Sequence, residues 1–257
     1  MSERDAALPA RILWQDAQLL VLDKPAGVSV LADRSGAPSL LDALRDWGEG
    51  TGLRPRLVHR IDKGTSGLLL VALSAEAERT LGRAFETRAI GKWYTAVSAA
   101  PLPWRGSHEL DLPLAKGRKN RQRVAGPREA IRERRRGPYR HYFLPKPVRS
   151  RDKPGQDALT RVRALCDDGE RAWLCVHPIT GRTHQIRVHL AWIGCPLLGD
   201  ALYGRPEDPH QRAPRLALHC HRLQLPALGD GVMRPSSFRA PMPEDLQALL
   251  PTPRDAR

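Results

Sequence analysis

Residues 57–73, LVHRIDKGTSGLLLVAL, constrain the fold more than any other stretch of the chain. From Gly67 to Leu73 no polar side chain occurs. An apolar run of this length behind a Thr-Ser-Gly turn is the pattern of a strand buried on both faces. Directly before it stand His59, Arg60 and Asp62. A carboxylate beside a packed core has to be paired or otherwise stabilised. The order of polar cluster, tight turn and apolar strand therefore puts Asp62 at the rim of a packed sheet.

The remaining elements follow the same reasoning. LLVLDKPAGVSVL (19–31) reads as a strand, a Pro-Ala-Gly turn and a second strand. In GAPSLLDALRDWG (36–48), Leu40, Leu41, Leu44 and Trp47 have helical spacing, and the helix is expected to stop at Gly48. Ser74 is placed to cap a helix with Glu76 and Glu78 in its first turn and Ala77, Leu81, Ala84 and Phe85 on one face. KWYTAVSA (92–99) is a strand. TRVRAL (160–165) and AWLCVHP (172–178) form a hairpin through Asp168-Gly169. Thr183 is the expected cap of a helix carrying Ile186, Leu190 and Ile193, with Gly194 at the left-handed position after it. RLALHCHRLQL (215–225) and VMRPSSFRAP (232–241) close with strands, and PEDLQALL (243–250) is a short helix. Strands in hairpin-like succession with interspersed helices predict a mixed α/β (α+β), mainly antiparallel fold without internal repeats.

Charge narrows the partners. Lys and Arg number 42 against 28 Asp and Glu, a net charge of +14 over 257 residues, which suits a polyanion. Ten basic and two acidic residues fall within 116–136. That run reads as an insertion, extending to residue 157, that packs weakly on the core and contacts RNA through Lys116, Arg118, Lys119, Arg121 and Arg123. The four cysteines show no disulfide or zinc spacing, and HCH at 219–221 reads as strand histidines rather than a metal site. No secretory signal or apolar run long enough for a membrane span is visible, so a cytoplasmic location without metal or membrane partners is expected.

Familiar cofactor and nucleophile motifs are missing. GEGTG (48–52) does not complete a dinucleotide fingerprint. No phosphate-binding loop, kinase set, deaminase zinc pair or G-x-S-x-G elbow is present. Two polar stretches beside apolar elements remain: HRID (59–62) and TGRTHQIR (180–187). Arg187 is the natural partner for Asp62, because a guanidinium beside it would keep the carboxyl ionised. A purely structural ion pair would fit those residues equally well.

These stretches, HRIDKGTSGLLLVA (59–72), KWYTAV (92–97) and GRTHQIRVHLAWIGCPLLGDALYG (181–204), with DKPAG (23–27) and SSFRAP (236–241), resemble the RluA-type RNA pseudouridine synthases and occur in that family's order. Ile61 stands where the family usually has Leu. The resemblance implies a catalytic fold with a long, bent, mainly antiparallel sheet, flanking helices and loops, and a central cleft. It implies isomerisation of uridine in ribosomal or transfer RNA without a cofactor. Asp62 matches the catalytic carboxylate, as nucleophile or as base on the ribose. Tyr94 matches the active-site tyrosine and Arg187 the arginine paired with the aspartate. Ile186 matches the apolar residue at the base. Arg60 is placed to fill the gap left by a flipped uridine. His59, Arg182, His184 and Gln185 are expected to contact substrate or support the loops. On this reading 1–11 is an arm, 12–250 a catalytic domain and 251–257 a tail. A monomer with no separate N-terminal RNA-binding domain is expected. A non-catalytic RNA-binding or assembly protein with the same fold, and a hydrolase that releases free uracil, are the rival readings.

Overall fold

The apolar run forms β4 (Ser66–Ala72), all seven residues of which are buried. The structure, a computed structural model, describes residues 8, 11–103, 106–118, 121–145, 155–204, 208, 211–229 and 234–252. It divides into two compact units: Met1–Lys92 with His219–Pro241, and Trp93–Leu218 with Met242–Arg257.

In the first unit, β1 (Ile12–Gln15) and β2 (Leu19–Lys24) run antiparallel beside β4. The short β3 (Arg56–Leu57) also pairs with β4. The parallel neighbour of β4 is β13 (Leu218–Gln224), which in turn pairs with β14 (Ser237–Arg239). Gly67 lies where β4 and β13 meet, with φ of +106°. A Cβ there would sit 2.3 Å from the carbonyl oxygen of Cys220, so only glycine fits. Leu20, Leu22, Leu44, Ile61, Leu69 and Val71 build the core.

Helix α1 (Leu40–Thr51) starts on a capping box in which Ser39 and Asp42 satisfy each other's backbone N–H groups. It does not stop at Gly48, which is buried inside it. A Cβ at Gly48 would meet Pro55 Cδ at 2.6 Å, so that glycine serves close packing and Gly52, at φ +72°, ends the helix. Helix α2 (Ala75–Glu86) starts as expected, with Ser74 Oγ accepting from Ala77 N–H at 3.0 Å.

The second strand expected within 19–31 is absent. Lys24, 1% exposed, donates through Nζ to the carbonyls of Pro25 (2.7 Å), Val28 (2.8 Å) and Lys63 (3.3 Å). A buried ammonium collecting carbonyls folds this segment back on itself and takes it out of the sheet.

In the second unit, β5 (Gly91–Ser98), β12 (Ala172–Pro178), β11 (Leu159–Asp167), β6 (Ser107–Asp111), β10 (Tyr139–Phe143) and β9 (Arg132–Arg136) lie side by side in that order. All pairs are antiparallel except β10 with β6. Helix α3 (Gln185–Trp192) packs on one face, and α4 (Glu244–Gln247) lies near the end of the chain.

The basic run is not a weakly packed insertion. It forms the hairpin β7 (Leu114–Lys116) and β8 (Gln122–Val124), a 3₁₀ turn at Arg128–Ala130 and the strand β9. Leu114, Val124 and Ala130 join a core with Leu112, Leu144 and Val188. Three apolar anchors along the segment were enough to dock it, a pattern that its charge density conceals. Helix α3 also departs from expectation: its N-cap is His184, at φ +56°, and not Thr183.

Candidate active site

Asp62 occupies the last position before the turn into β4. Its carbonyl accepts from Thr65 N–H at 3.0 Å and closes that turn. The residue before it, Ile61, is buried in the core of the first unit. The residue after it, Lys63, has its carbonyl held by Gly27 N–H at 2.8 Å and by the Lys24 ammonium. Asp62 is half-buried and Arg60 is exposed. The backbone on both sides of the carboxylate is thus fixed by the apolar core and by main-chain bonds.

His59 supports the same loop from within. Its Nε2 accepts from Leu70 N–H at 2.8 Å, and its ring packs at a tilt against Phe85, centroids 4.5 Å apart. Burial, aided by the charge of Lys92, holds its pKa down to about 3, so the imidazole is neutral with its proton on Nδ1. This histidine ties the loop to β4. Its position suits support of Asp62 better than substrate contact.

The second unit holds Tyr94 and Arg187. Tyr94 is 8% exposed and lies opposite Val176 in the sheet. Arg187 makes a bidentate pair with Asp200, Nε to Oδ2 and Nη2 to Oδ1, both at 2.8 Å. Its guanidinium also lies 5.2 Å over the ring of Tyr203. Asp200 Oδ1 accepts two further bonds from the N–H groups of Leu202 and Tyr203. Tyr203 Oη hydrogen-bonds His184 Nδ1 and accepts from Gln122 N–H, both at 2.8 Å. Within the second unit Arg187 is held by Asp200, thirteen residues further along, a partner that the sequence reading did not single out. The block LLGDALYG (197–204) was the available signal, since it contains an acidic residue within an otherwise apolar, turn-rich stretch.

Gln185 uses its whole amide inside the unit. Oε1 accepts from Thr180 Oγ1 and Arg182 N–H, and Nε2 donates to Leu159 O and Thr160 Oγ1. Thr160 Oγ1 bonds His189 Nδ1 at 2.9 Å, and His189 Nε2 donates to Leu112 O at 2.8 Å. Burial holds His189 down to about 4, so it is neutral in this chain of bonds. Arg182 donates to Asp157 O, and Ile186 is buried. The expected substrate contacts Gln185 and His184 therefore act first as supports that set the start of α3, and Arg187 with it.

Lys116, Arg118 and Arg121 are exposed on the β7–β8 hairpin, and half-buried Arg123 donates to Val124 O. Lys119 lies outside the described residues. Among the described residues no cluster of His, Cys, Asp or Glu is arranged as a metal site, and no helix is long and apolar enough to cross a membrane.

The family model described as RNA pseudouridylate synthase matches residues 18–192, a span that includes Asp62, Tyr94 and Arg187. The chain belongs to the RluA-type RNA pseudouridine synthases. Members of this family are isomerases. The chain is 35% identical over 236 residues to the dual-specificity RNA pseudouridine synthase RluA of Escherichia coli K12, covering 90% of this chain and 92% of that protein. An uncharacterized RNA pseudouridine synthase of Zymomonas mobilis is 33% identical over 92% of this chain and 95% of its own length. A solved human structure, RNA pseudouridylate synthase domain containing 4, superposes with a TM-score of 0.73 at 26% identity, covering 95% of this chain and 93% of that one. The mixed α/β family fold, with a large sheet and few helices, agrees with the strand order described above.

Proposed function

We propose that this enzyme isomerises specific uridines in structured ribosomal or transfer RNA, with Asp62 as the catalytic carboxylate after the base has been flipped out of the RNA stack. In this reaction the bond from the ribose to N1 of uracil breaks and a bond from the ribose to carbon 5 forms. N1 ends protonated and carbon 5 loses its proton, so atoms balance without a co-reactant. Asp62 acts either as nucleophile or as base on the ribose. Tyr94 stacks on the detached uracil and is placed to take part in the proton transfer at carbon 5. Arg187, oriented by Asp200, supplies the positive charge that the reaction's anionic partners need. Ile186 packs at the base, Arg60 occupies the gap in the RNA stack, and the β7–β8 hairpin contacts phosphates. The protein works as a cytoplasmic monomer.

The observation that carries this reading is the seating of Asp62. A half-buried carboxylate is held at a turn whose flanking carbonyls, core residue and histidine are all engaged in fixing the backbone. A merely structural aspartate in a surface turn does not require that degree of support. The test is pseudouridine mapping in RNA from cells lacking the protein, complemented with the wild type or with Asp62→Asn. Restoration by the wild type alone is expected. Full restoration by Asp62→Asn overturns the assignment, and release of free uracil in vitro points to a hydrolase.

A further inference from the structure

The sheet of the second unit has two chemically different faces. Tyr94, Val176 and Val162 share one face through the strand registers. Helix α3 packs on that face, through the bonds of Gln185 and His189 to Thr160. On the opposite face a row crosses six strands: Trp93, His177, Arg161, Glu109, His141 and Arg134. Arg163, Tyr139, Phe143, Arg132 and Arg136 flank it on the same face.

Three close pairs involving aromatic rings stand out along this face. The Trp93 and His177 rings stack at 4.5 Å and 11°. The Arg161 guanidinium lies 5.0 Å over Tyr139, and the Arg134 guanidinium 4.7 Å over Phe143. Five arginines share this face with two carboxylates, Glu109 and Asp111. One of these, Glu109, is 2% exposed and is already shared by Arg136, Arg161 and His141 at 3.0 to 3.1 Å. Arg132, Arg134 and Arg163 have no carboxylate partner among the described residues. Every residue of β9 is exposed. Charged side chains on an edge strand serve to discourage pairing with other chains. That purpose requires no aromatic ring beneath Arg134.

We propose that this face is a second RNA-binding surface, which takes a single-stranded segment by stacking bases on the arginine–aromatic pairs while Arg132 and Arg163 meet phosphates. Arg134 and Arg161 each lie over a ring, and a base can stack on a guanidinium plane. The unneutralised charge supplies the sequence-independent attraction. The inference rests on the RNA-modifying reading only in taking RNA as the polyanion at hand. Its surface is on the opposite side of the sheet from α3 and Tyr94, so it would hold a segment other than the one being modified.

The test is fluorescence anisotropy with a short oligoadenylate, which offers no uridine to the catalytic machinery. Tyr139→Leu with Phe143→Leu is expected to weaken binding on the order of ten- to a hundredfold. Arg132→Gln with Arg163→Gln is expected to lower the slope of log affinity against log salt by about 1.4, at about 0.7 for each lost phosphate contact. Should the aromatic double variant fail to fold, Arg134→Lys keeps the charge but loses the plane, and it is expected to bind more weakly than wild type. Unchanged affinity in a folded aromatic variant, or in Arg134→Lys, overturns the proposal. Equal competition by oligoglutamate also overturns it, in favour of an acidic protein partner. Asp62→Asn is expected to bind oligoadenylate like wild type. If the wild-type protein binds oligoadenylate but forms no pseudouridine, only the catalytic reading fails.

Discussion

Asp62 and Arg187 are held in place by different means. The loop of Asp62 is fixed by main-chain bonds, the buried Ile61 and the ring of His59. Arg187 is fixed by a buried side-chain network whose key member, Asp200, has a fully buried carboxylate. A group positioned by backbone can change its chemistry while the fold persists. A buried charge positioned by another charge cannot lose its partner without leaving itself uncompensated. The comparison teaches that the same loss of function at the two sites would have different causes.

The sharpest contrast lies in Asp62→Asn set against Asp200→Ala. Asp62→Asn is expected to abolish turnover while destabilising the fold less than Asp200→Ala does. Asp200→Ala removes the buried bidentate partner of Arg187 and is expected to destabilise by about 3–5 kcal/mol. Thermal and urea unfolding of the two variants decide the matter, and equal destabilisation breaks the distinction.

Acid should weaken the network next. His189 sits near 4 in the folded protein, below the usual 6.5, so the unfolded chain binds the proton first as pH falls. Its contribution is complete above pH 6.5 and is lost between pH 6.5 and 4, up to about 3 kcal/mol. His59 acts in the same direction down to about 3. Replacing His189 by Leu should flatten the pH dependence of unfolding across that window even though the variant starts less stable.

Lys24→Met tests the main-chain side of the comparison. It leaves the carbonyls of Pro25, Val28 and Lys63 without their ammonium and is expected to cost about 1–3 kcal/mol. Because the Lys63 carbonyl follows Asp62 directly, turnover should fall as well. Unaltered turnover would show that the loop holds its shape without Lys24. The smallest effect is expected from neutralising Arg118, Arg121 and Arg123. RNA affinity should fall modestly and its salt dependence flatten, with stability unchanged; an unchanged salt slope would make the hairpin a bystander.

Much of this arrangement was legible in the sequence where the determinants are local. The run 67–73 predicted β4 because burial on both faces leaves no room for alternation, and Ser74 predicted the start of α2 because a cap acts within three residues. What was missed depends on distance in space. The RERRR segment reads as a solvated loop, and its strand exists because β10 presents an edge to it. The start of α3 depends on a network that runs from Leu159 to Gln185 and on to Leu112, which no local cap predicts. The pairing of Arg187 with Asp200 needed the turn at 194–200 to bring the two together.

The parallel alignment of β10 with β6 carries a consequence for anyone trimming this protein. A chain that leaves one strand and re-enters the sheet in the same direction has to travel back along the full strand first, which takes a dozen residues or more. The arginine-rich stretch between residues 111 and 139 is that return journey. Excising it to make a smaller catalyst would leave β10 with no route to its neighbour, so a minimised enzyme could change the composition of this stretch but would have to keep its reach.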